Sequence, residues 1–507
     1  MKSFGPLDVA VLVLYLAGTT ALGIRVGRRQ ASAKDYFVAG RRIPWWAVLV
    51  SIVATETSAL TFISIPGLAY AGNLGFLQVV AGYILGRIGV AFLLLPRYYE
   101  GELVTAYGVL EKRFGLATRR LTSIVFMGTR AMADSVRVFA TAIPVSLILG
   151  GRVPTEWAMP AAILVLGVLT VIYTYRGGMR AVVWTEILQA SIYLLGGISA
   201  LVILGHALPG GWSGILQKAG AAGKLQFIDL SFTMSKPHTV MAGLIGGAFL
   251  SMASHGADQL IVQRLLSSRS LREAQRAIIG SGIVVFAQMA LFLFVGIGLW
   301  GYYDGRAFPS TDTIFPLFIL ERMPAGLTGL LLAAIIAATM STHSAAINSL
   351  AAASTHDIYL PLTRRSAEGP AAYRAGKLFA LFWGTVLTVG ALLFPKEQGT
   401  PVVVVALGIA SFTYGGLLGV FFLGNFWKRA RQRDAILGLV LGISAMALVV
   451  FATQLSAAYP ALAPWLAPLR GIAWPWYVLI GTVITMMVGV ISSLTHGPEL
   501  VIEEARA

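Results

Sequence analysis

The chain has no cysteine. That excludes disulfides, thiol catalysis and cysteine-based metal sites. Charge is also scarce: Asp, Glu, Lys and Arg make up 12% of the 507 residues, where a soluble domain carries about 25%. Acidic residues are the rarer sign, 22 against 38 basic ones. Long polar stretches are missing, so no separate soluble domain fits. The first apolar run, Leu7 to Gly23, has no cleavage-like end and reads as a span rather than a secretory leader. No two of the six histidines have metal-ligand spacing. No nucleophile comes with a paired base and an orienting group, so no enzyme chemistry is expected.

What is there is apolar. Hydrophobic residues form 57% of the chain, which places it in a lipid bilayer. The apolar runs predict thirteen spans, roughly 7–24, 45–70, 75–96, 121–149, 158–175, 182–205, 239–263, 277–303, 326–360, 375–394, 400–426, 435–454 and 474–493. With the N-terminus outside and the C-terminus inside, most Lys and Arg fall in inner loops, at 25–42, 97–120, 176–180, 264–276, 364–377 and 428–433. The net charge of +16 is thereby a topogenic signal of the positive-inside kind. It does not point to nucleic acid, because no basic run is interleaved with aromatics. No protein partner is evident. The longest loop, 206–238, carries Pro209-Gly210-Gly211 and is expected outside. Gly101 to Phe114 reads as an amphipathic piece on the inner surface.

Two spans look interrupted. Ala54-Thr55-Glu56-Thr57-Ser58 puts four polar residues in a row inside the second. In the seventh, Ser251-Met252-Ala253-Ser254-His255-Gly256 ends in a glycine and leads to Asp258. Backbone that leaves the helix at membrane depth must line a cavity or be buried in protein. The breaks lie five spans apart, which suggests two five-helix repeats of the kind that build midplane transport sites. The chain then divides into an N-terminal span and basic loop (1–44), a first repeat (45–206), an outer loop (207–238), a second repeat (239–430) and two peripheral spans with a short tail (431–507).

Each ionisable group inside a span needs a reason, since burying a charge there is costly. Glu56 sits in the first break, either to contact a cationic group or to cap freed backbone donors. Arg130, Asp134 and Arg137 share one helix at spacings of four and three. Asp134 clamping both arginines leaves one net positive charge, and Arg137 could hold a carboxylate in a bidentate way. Asp258 follows the second break, as a substrate or gating contact. Arg87 reads as structural, and Glu186 as an interfacial acid. His255 and His343 are either proton relays or packing residues. In the ninth span, Ala338, Ser341, Thr342 and Ala345 share one helical face. Its two hydroxyls suit either a small hard cation or close helix packing.

Four segments carry a family resemblance: Trp45 to Phe62, Tyr175 to Gln189, Asp258 to Gln275, and Ala338 to Tyr359. The chain resembles the sodium/solute symporter family over essentially residues 7–430. The resemblance implies an all-α membrane protein with the LeuT-type 5+5 inverted-repeat bundle, resident in the cell membrane and importing a small polar solute with Na+. It places sodium on the carbonyls of Ala54, Thr57 and Ala338 and the hydroxyls of Ser341 and Thr342. A second ion position would involve Glu186 and Ser344. Glu186 stands where Asp is usual, and Ala345 where a second hydroxyl would help, so one ion is expected. The substrate site would comprise Glu56, Ser58, Thr61, Gln78, Tyr83, Arg137, Asp258, Phe412 and Tyr414. Glu56 and Arg137 together favour a small carboxylate or zwitterion. A proton-coupled symporter of the same fold is the first alternative. The second, a membrane sensor, needs a signalling extension, and the chain stops about fourteen residues after its last span. The topology makes one direct prediction. A cysteine placed at position 364 or 365 reacts with an impermeant thiol reagent only from the cytoplasmic side.

Overall fold

The computed structural model describes residues 5–27, 41–100, 105–149, 153–174, 179–366, 370–394 and 401–496. Most of the basic loop 25–42, the start of the Gly101–Phe114 piece and Tyr175 to Gly178 lie outside the described residues. So does the Ser341 side chain. Helices occupy nearly all of what is described, and the one β-contact is an isolated bridge between Ile43 and Ser268.

A helix lies over each expected span. In chain order these are α1 (Pro6–Gly27), the pair α2 (Trp45–Glu56) and α3 (Ala59–Ala71), α4 (Phe76–Tyr99), α5 (Leu116–Leu149), α6 (Thr155–Thr174) and α7 (Met179–Ala207). Next come the pair α8 (Gly247–Gly256) and α9 (Gln259–Leu266), then α10 (Leu271–Tyr302), α11 (Leu327–Ala353) and α12 (Pro370–Leu392). The last are α13 (Val402–Phe426), α14 (Gln432–Val450) and α15 (Trp476–Leu494). Among the described residues, eight helices are long and apolar enough to cross a membrane, or nine with the bent α2–α3 pair as one span. The long α5 misses that count although it fills an expected span, and its buried ion cluster is the reason it is less apolar.

Both breaks fall where polar residues crowd the sequence. Between α2 and α3 the path bends by 58°. Thr57 leaves the helix with φ −84° and ψ 58°, and Ser58 is extended. The Thr61 hydroxyl donates to the Glu56 carbonyl at 2.9 Å, replacing a backbone donor that the bend removes. The second break uses a cap: Asp258 accepts from the Leu260 N–H at 2.8 Å and starts α9. The two broken pairs pack differently. α2 and α3 lie against α10, and α2 also against α7, whereas α8 lies against α4 and α13. The N-terminal helix is tied in by one carboxylate. Buried Asp8 accepts from the Gly326 and Gly329 N–H groups at 2.8 and 2.9 Å, at the start of α11.

The contact of α4 with α8 and the π-turn before it (Ala242–Gly246) is backbone on backbone. A Cβ on Gly82 would sit 2.1 Å from the Gly243 carbonyl oxygen, and one on Gly86 would sit 2.2 Å from that of Ala248. Such close approach is how helices associate where lipid offers no hydrophobic drive. Gly82→Leu or Gly86→Leu should therefore abolish monodisperse protein in size-exclusion chromatography. Gly128→Leu, where an added Cβ meets nothing within 4 Å, should behave as wild type.

Candidate functional site

The breaks open onto a central cavity of about 930 Å³, counting the space at its mouth. Of the residues expected at the substrate site, Glu56, Ser58, Thr61, Tyr83, Arg137, Asp258 and Tyr414 line it. Gln78 and Phe412 lie elsewhere. The Gln78 amide donates to the His238 carbonyl at 2.8 Å and accepts from the Asp229 N–H at 3.1 Å, so it fastens the 222–238 loop to α4. It borders a separate polar pocket with His238, whose imidazole burial holds down at about 4. Phe412 packs edge-on against Phe451.

Sequence reading found Tyr414 but missed the rest of its wall. Val403, Ala406, Leu407 and Ala410 face the cavity beside it from α13. Their spacing of three and four along one helical face was the available signal. Met289 of α10 also lines the cavity, and no sequence pattern marks it.

Two charged clusters polarise the cavity. In the first, Arg87 is fully buried and pairs with Glu56, whose carboxylate is 16% exposed. Arg87 also donates to Ser281 Oγ at 2.9 Å and approaches His255 Nε2 at 3.2 Å. A guanidinium has no acceptor, so Nε2 of His255 accepts and Nδ1 carries the proton. That proton faces Ser254 Oγ at 2.8 Å and the Ser251 carbonyl at 3.2 Å. His255 thus orients Arg87, and Arg87 in turn neutralises Glu56.

In the second cluster Asp134 stands between Arg130 Nε at 3.2 Å and Arg137 Nη1 at 3.3 Å. Asp258 accepts from the Tyr414 hydroxyl and lies 3.7 Å from Arg130 Nη1. With its capping bond to Leu260, both Asp258 oxygens are engaged within the chain, joining α5, α9 and α13. Arg137 is the outlier of this group. Its side chain is 25% exposed, while those of Arg130, Asp134 and Asp258 are at most 5%. Its Nε and Nη1 make no hydrogen bond among the described residues.

The expected ion residues lie on two elements. Ala54 and Thr57 lie at the break and Ala338 and Thr342 on α11, all buried. The Val53 carbonyl accepts from Thr57 N–H at 2.7 Å, and Glu56 is served by Thr61. No backbone N–H returns to the Ala54 or Thr57 carbonyl among the described residues. Helix termini leave such oxygens available, and this donor set fits a small hard cation. Glu186, by contrast, is engaged. It accepts from Arg264 at 2.7 Å, from Thr55 Oγ1 at 3.2 Å and from Ser51. Ser344 Oγ is buried without a partner among the described residues.

The sequence matches the sodium:solute symporter family over residues 36–442. A sodium/sialic acid symporter, NanT, from Aliivibrio fischeri is 30% identical over 97% of this chain and 94% of its own length. A second, SiaT, from Proteus mirabilis is 29% identical over 90% of this chain and 92% of its own. A solved sodium-coupled sialic acid symporter, in a substrate-bound outward-open state, superposes with a TM-score of 0.83 at 28% identity, over 98% of this chain and 99% of that one. The chain belongs to the sodium:solute symporter family. It is a multi-pass membrane transporter, not an enzyme.

The Glu56–Arg87 pair makes a stability prediction. Arg87→Leu leaves a carboxylate without its partner, which costs about 3–5 kcal/mol for a buried pair. Thermal unfolding should show a large loss for Arg87→Leu and substantial recovery in Arg87→Leu/Glu56→Leu.

Proposed function

We propose that this transporter imports a small carboxylate or zwitterionic solute with one sodium ion by alternating access. The observation that carries the reading is Arg137: a guanidinium at the cavity wall, 25% exposed, whose one ion-pair partner among the described residues, Asp134, it shares with Arg130. Guanidinium matches a carboxylate through two parallel hydrogen bonds. Glu56, paired with Arg87 but 16% exposed at the same cavity, offers a carboxylate oxygen to a zwitterion's ammonium. The two relatives named for sialic acid agree with an acidic solute. Thirteen spans, with the N-terminus outside and the C-terminus inside the cell membrane, complete the proposal.

Sodium is assigned to the Ala54, Thr57 and Ala338 carbonyls with the Ser341 and Thr342 hydroxyls. The single ion rests on Glu186, which Arg264 neutralises, and on Ala345, which offers no oxygen. Ser344 alone remains for a second shell. One charge crossing ~100 mV releases about 2.3 kcal/mol. At about 1.4 kcal/mol per decade, a zwitterion moving with one sodium is concentrated on the order of 50-fold by voltage. A monoanion moves no net charge and relies on the sodium gradient.

Sodium-driven uptake into liposomes containing the full chain tests this. Arg137→Lys should lower kcat/KM for a carboxylate at least ~10-fold, the loss of about one good charge-assisted hydrogen bond. Thr342→Ala should raise the half-saturating sodium concentration. Wild-type kinetics in Arg137→Lys would retire the carboxylate anchor. Uptake undiminished when choline replaces sodium at a fixed pH gradient would favour proton coupling.

A further inference from the structure

A second, smaller chamber adjoins the central cavity. Ser58 and Arg137 belong to the walls of both. The chamber's remaining polar lining includes Asp134 of α5 and Thr339, Thr342 and His343 of α11. It spans about 250 Å³, and the free space within it suits one water-sized group. His343 is 3% exposed, and neither ring nitrogen makes a hydrogen bond among the described residues. The Asp134 oxygens, equally buried, form ion pairs but no hydrogen bonds among the described residues. Buried polar groups without partners are rare and point to something that completes them. Two of the hydroxyls nearby are already donating, Thr339 to the Ile335 carbonyl and Thr141 to the Arg137 carbonyl, both at 2.8 Å.

We propose that this chamber is a hydroxyl subsite of the solute site, and that His343 is its specificity-determining residue. The inference rests on Arg137 holding a carboxylate at the shared wall. A hydroxyl one carbon from that carboxylate then enters the chamber. It accepts from the imidazole N–H and donates to a carboxylate oxygen of Asp134. A keto group only accepts, so it satisfies His343 and leaves Asp134 as it was. A hydrogen satisfies neither. A site built to hydrogen-bond a substrate group rejects the analogue lacking it more strongly than an apolar pocket rejects an added methylene. The order of preference is therefore hydroxy acid, keto acid, unsubstituted acid.

The test is sodium-driven uptake of propanoate, 2-oxopropanoate and 2-hydroxypropanoate into liposomes containing the full chain. The wild type should favour 2-hydroxypropanoate over propanoate by at least ~10-fold in kcat/KM, with 2-oxopropanoate between them. His343→Leu should bring that ratio close to one, and His343→Gln, which keeps a donor and an acceptor, should retain part of it. Gln carries the test if the Leu variant fails to fold. Equal transport of the three acids by wild type, or an undiminished ratio in both variants, overturns the subsite and leaves the carboxylate reading standing. If none of the acids is carried or competes, the carboxylate reading itself falls, and the subsite with it.

Discussion

The structure depends on one constraint: in a bilayer, every backbone polar group must find a partner inside the protein. Abandoning a helix at membrane depth is costly unless something replaces the lost bonds. At Thr57-Ser58 and Ala257-Asp258 the chain does so, and each break carries its own repair. Thr61 serves the Glu56 carbonyl, and Asp258 caps α9. The repair is incomplete at Ala54 and Thr57, whose carbonyls no backbone N–H serves among the described residues. That shortfall is what makes the break useful, because it leaves oxygens for an ion. The glycine contact between α4 and α8 lets the broken helix sit close enough to its neighbour for the break to face the cavity and not lipid.

The charges obey the same logic at higher stakes. Arg87 is wholly buried, yet Glu56, Ser281 and His255 surround it. Arg130 and Arg137 likewise balance Asp134 and Asp258. A buried pair of this kind adds little net stability but is expensive to break, so both clusters are rigid. Within these balanced clusters, Glu56 and Arg137 are the members that keep some exposure at the cavity. Arg264 and Glu186 form a third pair, and Thr55, one residue beyond Ala54, touches it. The first break and this pair therefore share one helix, and a shift of α2 would strain both.

Much of the design was readable from residues alone. Apolar runs located all the long helices, and polar clusters within them located both breaks, because lipid tolerates neither charge nor open backbone without cause. The resemblance located the family. What resisted reading were partners. Arg87 read as structural, and Glu56 as contacting a cationic group or capping backbone; only packing shows that they are a pair. Gln78 and Phe412 were expected at the solute, but one fastens a loop and the other packs against Phe451. On a helix, a rotation of 100° per residue separates cavity from exterior, so a correct span with an uncertain face gives an uncertain site.

The sequence by itself determined the class of protein, the helices, the breaks and the kinds of oxygen available for an ion. These follow from local composition, which hydrophobic partition reads directly. The tertiary structure alone decided which charges neutralise each other, that Arg137 stands part-exposed at a cavity wall, and that His343 and Asp134 line one small chamber. Those facts join residues up to hundreds of positions apart. No local preference encodes them, because they arise only when helices with similar apolar faces choose among possible neighbours.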